Sequence, residues 1–127
     1  MDMNHFKPGQ SAESEVEVTT AMSVNRMGRK GADVLSTPML LEIMENICIK
    51  SSEPYLVEGY TTVGYAVDGL RHLAPTPVGQ TVRVRSVITE IDRKRLTYSI
   101  EAYEGDKKIG IAVHKRAVVS TNPSTQN

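Results

Sequence analysis

Seven side chains stand where their type and spacing could do chemistry: Thr37, Glu45, Cys48, Asp68, His72, His114 and Arg116. Glu45 is the sharpest anomaly, because it shares a helical stripe with Leu41, Met44 and Cys48, where a surface helix does not put a carboxylate. It reads either as a rim carboxylate satisfied by a backbone group or a lysine, or as a carboxylate held in an apolar pocket. In the second case its pKa rises toward the range useful for a general base. His72 ends a glycine-broken segment just before Pro75 and Pro77, and a lone histidine there is first a structural residue and only then an acid–base group. Thr37, ahead of Pro38, reads as a helix N-cap. Cys48 reads as core and Asp68 as a turn or bulge residue. His114 and Arg116 lie two apart on a strand-like segment and share a face, with the arginine expected to pair with an exposed acid. The sequence holds no glycine-rich phosphate loop, no Gly-x-Ser-x-Gly elbow and no His-Glu-x-x-His helix. With a single cysteine, neither a disulfide within the chain nor a cysteine-rich zinc site is expected, and no metal set is assigned.

The elements that must position these groups follow from periodicity. Ser14 to Thr20 alternates as a half-buried strand. Arg26 to Asp33 reads as a loop from its two glycines and lack of period. From Thr37-Pro38 onward, Leu40, Leu41, Ile43, Met44, Ile47 and Cys48 recur at helical spacing over more than one side, so this helix is buried on most of its circumference until Pro54 blocks it. Everything afterwards is strand. Gly59 to His72 is broken by Gly64 and Gly69, as at bulges, and Pro75, Pro77 and Gly79 make a rigid turn. Thr81 to Ile91 and Leu96 to Tyr103 alternate around the basic turn Arg93-Lys94-Arg95. Glu104 to Lys107 is a tight turn into a last strand, Lys108 to Val119, with Ile109, Ile111 and Val113 on its apolar face.

One helix beside five antiparallel strands has few packing solutions, and the expected fold is α+β with the sheet curled around the helix. Residues 1–13 are expected as a flexible N-terminal tail, 14–119 as the folded domain and 120–127 as a flexible C-terminal tail. A chain of 127 residues can bury one core without staples. Its fifteen basic residues cancel its fifteen acidic ones, so no global field favours nucleic acid or an anionic membrane, and neither is expected as a partner. The polar N-terminus and the lack of a long apolar run lead to an expected cytoplasmic location. A long unpaired sheet edge favours a C2 homodimer, with pairing into tetramers left open.

Three segments, in this order, resemble the hotdog-fold thioesterases, and more narrowly the fluoroacetyl-CoA thioesterase family. They are Val34-Leu35-Ser36-Thr37-Pro38-Met39-Leu40-Leu41-Glu42-Ile43-Met44-Glu45, then His72-Leu73-Ala74-Pro75-Thr76-Pro77-Val78-Gly79-Gln80-Thr81-Val82, then His114-Lys115-Arg116-Ala117-Val118. The likeness runs from about Val16 to Val119. It implies that Thr37, Glu45 and His72 are the catalytic set and that Arg116 contacts substrate. It also puts Gly64, or Tyr65 since one extra residue precedes His72, at the backbone position that approaches the acyl group. The family's phenylalanine-rich lid has no counterpart in residues 26–33. A short-acyl or aryl-acyl coenzyme A is therefore implied in place of a fluorinated one, as substrate and with no further cofactor.

Thioester hydrolysis needs an activated oxygen and donors for the oxyanion. The expected roles are Glu45 as base for water or as direct nucleophile, and His72 in proton transfer to the leaving thiolate or in orienting Glu45. Thr37 is expected to hydrogen-bond the acyl carbonyl or the carboxylate. Two rivals stand beside hydrolysis: a hydratase or dehydratase using Asp68 with His72, and a non-catalytic module binding acyl-CoA or an acyl carrier.

Overall fold

The computed structural model of the protein describes residues 1–28 and 32–122. The expected strands and helix are all present. β1 (Ser11–Glu17) precedes two short 3-10 turns and α1 (Thr37–Ser52), then β2 (Tyr60–His72), β3 (Thr81–Asp92), β4 (Arg95–Glu104) and β5 (Lys107–Ser120) follow. The strands form one antiparallel sheet in the order β1-β3-β4-β5-β2, so β1 and β2 are its edges. α1 lies against one face of the sheet and buries Leu40, Ile43, Met44, Ile47 and Cys48 there, on the pattern its apolar spacing dictates. From the sheet, Val82, Val84 and Ile88 of β3 and Leu96, Tyr98 and Ile100 of β4 meet it. Among the described residues no helix is long and apolar enough to cross a membrane.

Three details depart from the sequence reading. The helix N-cap is Ser36, not Thr37: the Ser36 backbone is extended and its side chain accepts from the Met39 amide at 3.3 Å. Thr37 and Pro38 then occupy the first helical turn, where the missing proline N–H is harmless. The N-terminal segment is tied down, because Phe6, the chain's one phenylalanine, is buried edge-on against Tyr55. The Gly9 amide also donates to the Ile88 carbonyl at 2.8 Å, and β1 begins at Ser11. At the other end, the Thr121 amide donates to the Gly59 carbonyl, while residues 123–127 of the expected tail lie outside the described residues. So do residues 29–31 of the expected loop.

On β5 the helix-facing side chains are Ala112, His114, Arg116 and Val118, whereas Ile111 and Val113 point the other way and are half-buried. The apolar face read from Ile109, Ile111 and Val113 is therefore the outer one beyond Ile109. A register shift beside Tyr103, near the start of β5, changes the parity.

Candidate active site

Ser36 capping the helix leaves the Thr37 hydroxyl free, and its Oγ1 lies 2.8 Å from Nδ1 of His72. His72 reaches it through a bulge. Between Asp68 and Arg71, β2 advances three residues while β5, from Val113 to Ile111, advances two, with Gly69 taking a left-handed φ of 61°. The extra residue turns His72 opposite Gly110, on the helix side of the sheet. Burial lowers the His72 pKa below its ordinary 6.5, so the ring is neutral at physiological pH. Its Nε2 is buried with no hydrogen-bond partner among the described residues. A neutral imidazole carries one proton, so two arrangements exist. Thr37 donates to Nδ1 and Nε2–H is the pair's unspent donor, or Nδ1–H donates to Thr37 and the threonine O–H is the unspent donor. Either way the pair offers one proton donor to a ligand. The pair opens on a cleft of about 340 Å³ walled by Val24, Val34, Leu35 and Leu73.

Glu45 stands apart from this pair. Eight residues of regular helix rise about 12 Å, and Glu45, half-buried, makes no hydrogen bond or ion pair to a described residue. It lies within electrostatic reach of Cys48 and His114 instead. Helical side chains lean toward the N-terminus, so its carboxylate tilts back toward Thr37. Cys48 is fully buried, and its thiol pKa is pushed up to about 12, chiefly by desolvation, which leaves no thiolate for chemistry.

Arg116 and His114 are buried at 4% and 2% exposure, so the expected pairing of Arg116 with a surface acid is replaced by an internal network. Arg116 donates from Nε to the Thr62 hydroxyl and from Nη2 to the Thr62 carbonyl, both at 2.9 Å. Its Nη1 lies 3.0 Å from His114 Nε2, and His114 Nδ1 lies 2.8 Å from the Ala66 carbonyl oxygen. Among the described residues no carboxylate forms a salt bridge with Arg116. A buried cation with only neutral partners is costly unless an anionic or dipolar group is to meet it. Of the two candidates for the backbone position, Gly64 lies over this network, since a Cβ there would sit 3.0 Å from Arg116 Nη1. The Tyr65 ring is exposed and faces Arg95, whose guanidinium carbon is 5.4 Å from the ring centre. Asp68 is exposed at the second bulge, 3.9 Å from Lys115 Nζ, and makes no bond to His72. Thr62 and Ser36 escaped the sequence reading. The Ser-x-x ahead of an apolar run was a visible capping signal, whereas nothing local marked Thr62 as the arginine's acceptor.

A helix lying across a five-stranded antiparallel sheet of this strand order, with Thr, His, Glu and Arg turned to the inner face, is the hotdog architecture of thioesterases. The chain belongs to the fluoroacetyl-CoA-specific thioesterase family, whose model matches residues 18–122. It is 33% identical over 87 residues to the fluoroacetyl-CoA thioesterase of Streptantibioticus cattleyicolor, a match covering 68% of this chain and 62% of that relative. Among solved structures it resembles a point mutant of the fluoroacetyl-CoA-specific thioesterase in complex with fluoroacetate and CoA. There the TM-score is 0.84 at 26% identity, over 91% of this chain and 97% of that one. A hot-dog-like protein from Thermanaerovibrio acidaminovorans superposes with a TM-score of 0.85 at 27% identity, over 95% of this chain and 90% of the other.

Proposed function

We propose that this protein hydrolyses a short or aromatic acyl-coenzyme A thioester to the free acid and CoA. The observation that carries the reading is the Thr37–His72 contact, with a neutral ring whose Nε2 is buried and unpaired at the mouth of a small apolar cleft. An acyl chain suits the apolar walls. The unspent donor of the Thr37–His72 pair suits a carbonyl oxygen that gains charge as the tetrahedral intermediate forms. Glu45, the one carboxylate of α1 turned toward the inner groove, takes a proton from water as its oxygen adds to the carbonyl carbon, or attacks that carbon itself. The C–S bond then breaks and the thiolate leaves: where water added, the thiolate takes up the proton held by Glu45. Where Glu45 attacked, water then cuts the acyl–glutamyl anhydride, which frees the acid, gives the thiolate its proton and restores the carboxylate. Arg116, a buried cation with two unspent N–H groups, suits the developing carboxylate or the acyl carbonyl. The separation of Asp68 from His72 takes away the pair a hydratase would need.

A homodimer through β2 fits the same reading. That edge exposes Val63, Tyr65 and Val67, whereas the opposite edge strand carries Glu13, Glu15 and Glu17. Such pairing puts the acyl site near the interface. The primary test is release of free CoA thiol from a panel of short, branched and aromatic acyl-CoAs. Turnover of at least one is expected, and no release from any of them overturns the assignment.

A further inference from the structure

We infer that His114 is a positioning residue of the acyl site: a neutral, Nδ1-protonated imidazole that clamps the first bulge of β2 and aims the Arg116 guanidinium. The proposal rests on the reading of Arg116 as a substrate contact.

The tautomer follows from its neighbours. A guanidinium can only donate, so at 3.0 Å Arg116 Nη1 makes His114 Nε2 an acceptor. A carbonyl can only accept, so at 2.8 Å the Ala66 oxygen requires a proton on Nδ1. One neutral form satisfies both bonds. The other tautomer breaks both, and the imidazolium sets an N–H against the guanidinium. The groups around the ring are Arg116 beside it on β5, Tyr98 opposite on β4, and Glu45 from α1. Burial, the largest influence, also favours the neutral ring.

The clamp acts on an edge strand that would otherwise be loose. Between Gly64 and Ala66, β2 advances two residues while β5, from Arg116 to Lys115, advances one, which makes a single-residue bulge at Tyr65. Below it, Arg116 grips the hydroxyl and carbonyl of Thr62, and His114 grips the carbonyl of Ala66. Gly64 lies between these anchors, directly on the ring: a Cβ there would be 2.8 Å from His114 Cε1. Three of the five guanidinium N–H groups are thus spent on Thr62 and His114, and two remain. Without the bond to His114, Nη1 loses its anchor and the direction of those two is no longer fixed.

The test has two independent readouts. Nitrogen-15 NMR of the wild-type protein at pH 7 should show a histidine protonated at Nδ1 and bare at Nε2 that is assigned to His114 by the loss of its signal in His114→Gln. In kinetics, His114→Ala should raise KM about tenfold with kcat within about threefold, the pattern of lost binding. His114→Gln, whose side-chain oxygen can still accept from Arg116, should recover most of the loss. An Nε2-protonated or doubly protonated ring, an unchanged KM in His114→Ala, or a fall in kcat alone overturns the inference. If the wild-type protein releases no thiol, the proposed activity fails while the NMR result still decides the tautomer that the clamp demands.

Discussion

The Thr37 hydroxyl lies 2.8 Å from Nδ1 of His72 because its neighbour Ser36, and not Thr37, caps α1. Two adjacent hydroxyls therefore have separable jobs, which gives a paired prediction. Ser36→Ala should cost about 1 kcal/mol of stability, the usual value of a cap, with turnover little changed. Thr37→Ala should leave the melting temperature near wild type and lower kcat/KM by about tenfold or more, as expected when a donor aimed at the oxyanion is lost. Urea unfolding and thiol-release kinetics on both variants check it, and a reversed pattern would return Thr37 to a capping role.

The same two residues show what was legible in the sequence and what was not. Periodicity located every strand and the helix, since period-2 and period-3.6 burial leave a direct trace. It could not choose between Ser36 and Thr37, because both are good caps and the decision lies in backbone geometry. It misread the inner face of β5, where Ala112, His114, Arg116 and Val118 look like a solvated row until a parity shift turns them inward. The family likeness, and not periodicity, drew Thr37, His72 and Glu45 into one set, although their spacing already showed that Thr37 and Glu45 cannot touch on a regular helix. The structure joins the first two and places Glu45 with the Arg116–His114 network, as eight residues of helical rise require.

Acid should weaken the fold earlier than carboxylate titration alone would. Burial lowers the pKa of both His72 and His114 from 6.5, so between those lowered values and 6.5 the unfolded chain binds protons that the folded chain refuses. Stability is then fully present above pH 6.5 and falls as pH drops below it. Glu101, held below its ordinary 4.5 first by Lys108, acts only in a lower window. Chemical unfolding at pH 7.5, 6.5 and 5.5 should show the decline, with a shallower one in His72→Asn. Stability that rises on acidification to 5.5 would contradict it.

Two glycines of the sheet, Gly64 against the His114–Arg116 network and Gly110 against α1, should rank in a fixed order as alanine variants. At Gly64 the new Cβ meets an imidazole bonded at both nitrogens, 2.8 Å away, whereas at Gly110 it meets the flexible ends of Leu40 and Met44 at 3.0 Å. Gly64→Ala should cost about 1–3 kcal/mol, the scale of overpacking a closed site, and Gly110→Ala less. Thermal melts of the two proteins side by side decide the ranking.

The exposed apolar residues of β2 predict its partner. Val63→Lys, on the outward face of that edge, should turn a dimer into a monomer, because a lysine there blocks edge pairing. Light scattering at micromolar concentration is sufficient, and a monomeric wild type would remove the dimer from the proposal.

Glu45 carries the heaviest load in the proposed mechanism. Its carboxylate has no hydrogen bond to a described residue, yet it shares the inner groove with a buried guanidinium and a neutral histidine. A structural carboxylate would be expected to show partners, whereas a base kept for water needs open oxygens. Glu45→Gln preserves shape and removes the base, so turnover should fall by on the order of a hundredfold or more, the scale of a lost positioned base. No partner is stranded by the change, so the fold should stay intact, with a melting temperature close to wild type. Two measurements on one preparation, thiol release and a melt, separate the cases. Lost turnover with an intact fold supports a chemical role. Equal activity in both proteins makes Glu45 a bystander and leaves the Thr37–His72 pair to activate the water, while a collapsed fold would mean that the carboxylate was holding the helix to the sheet.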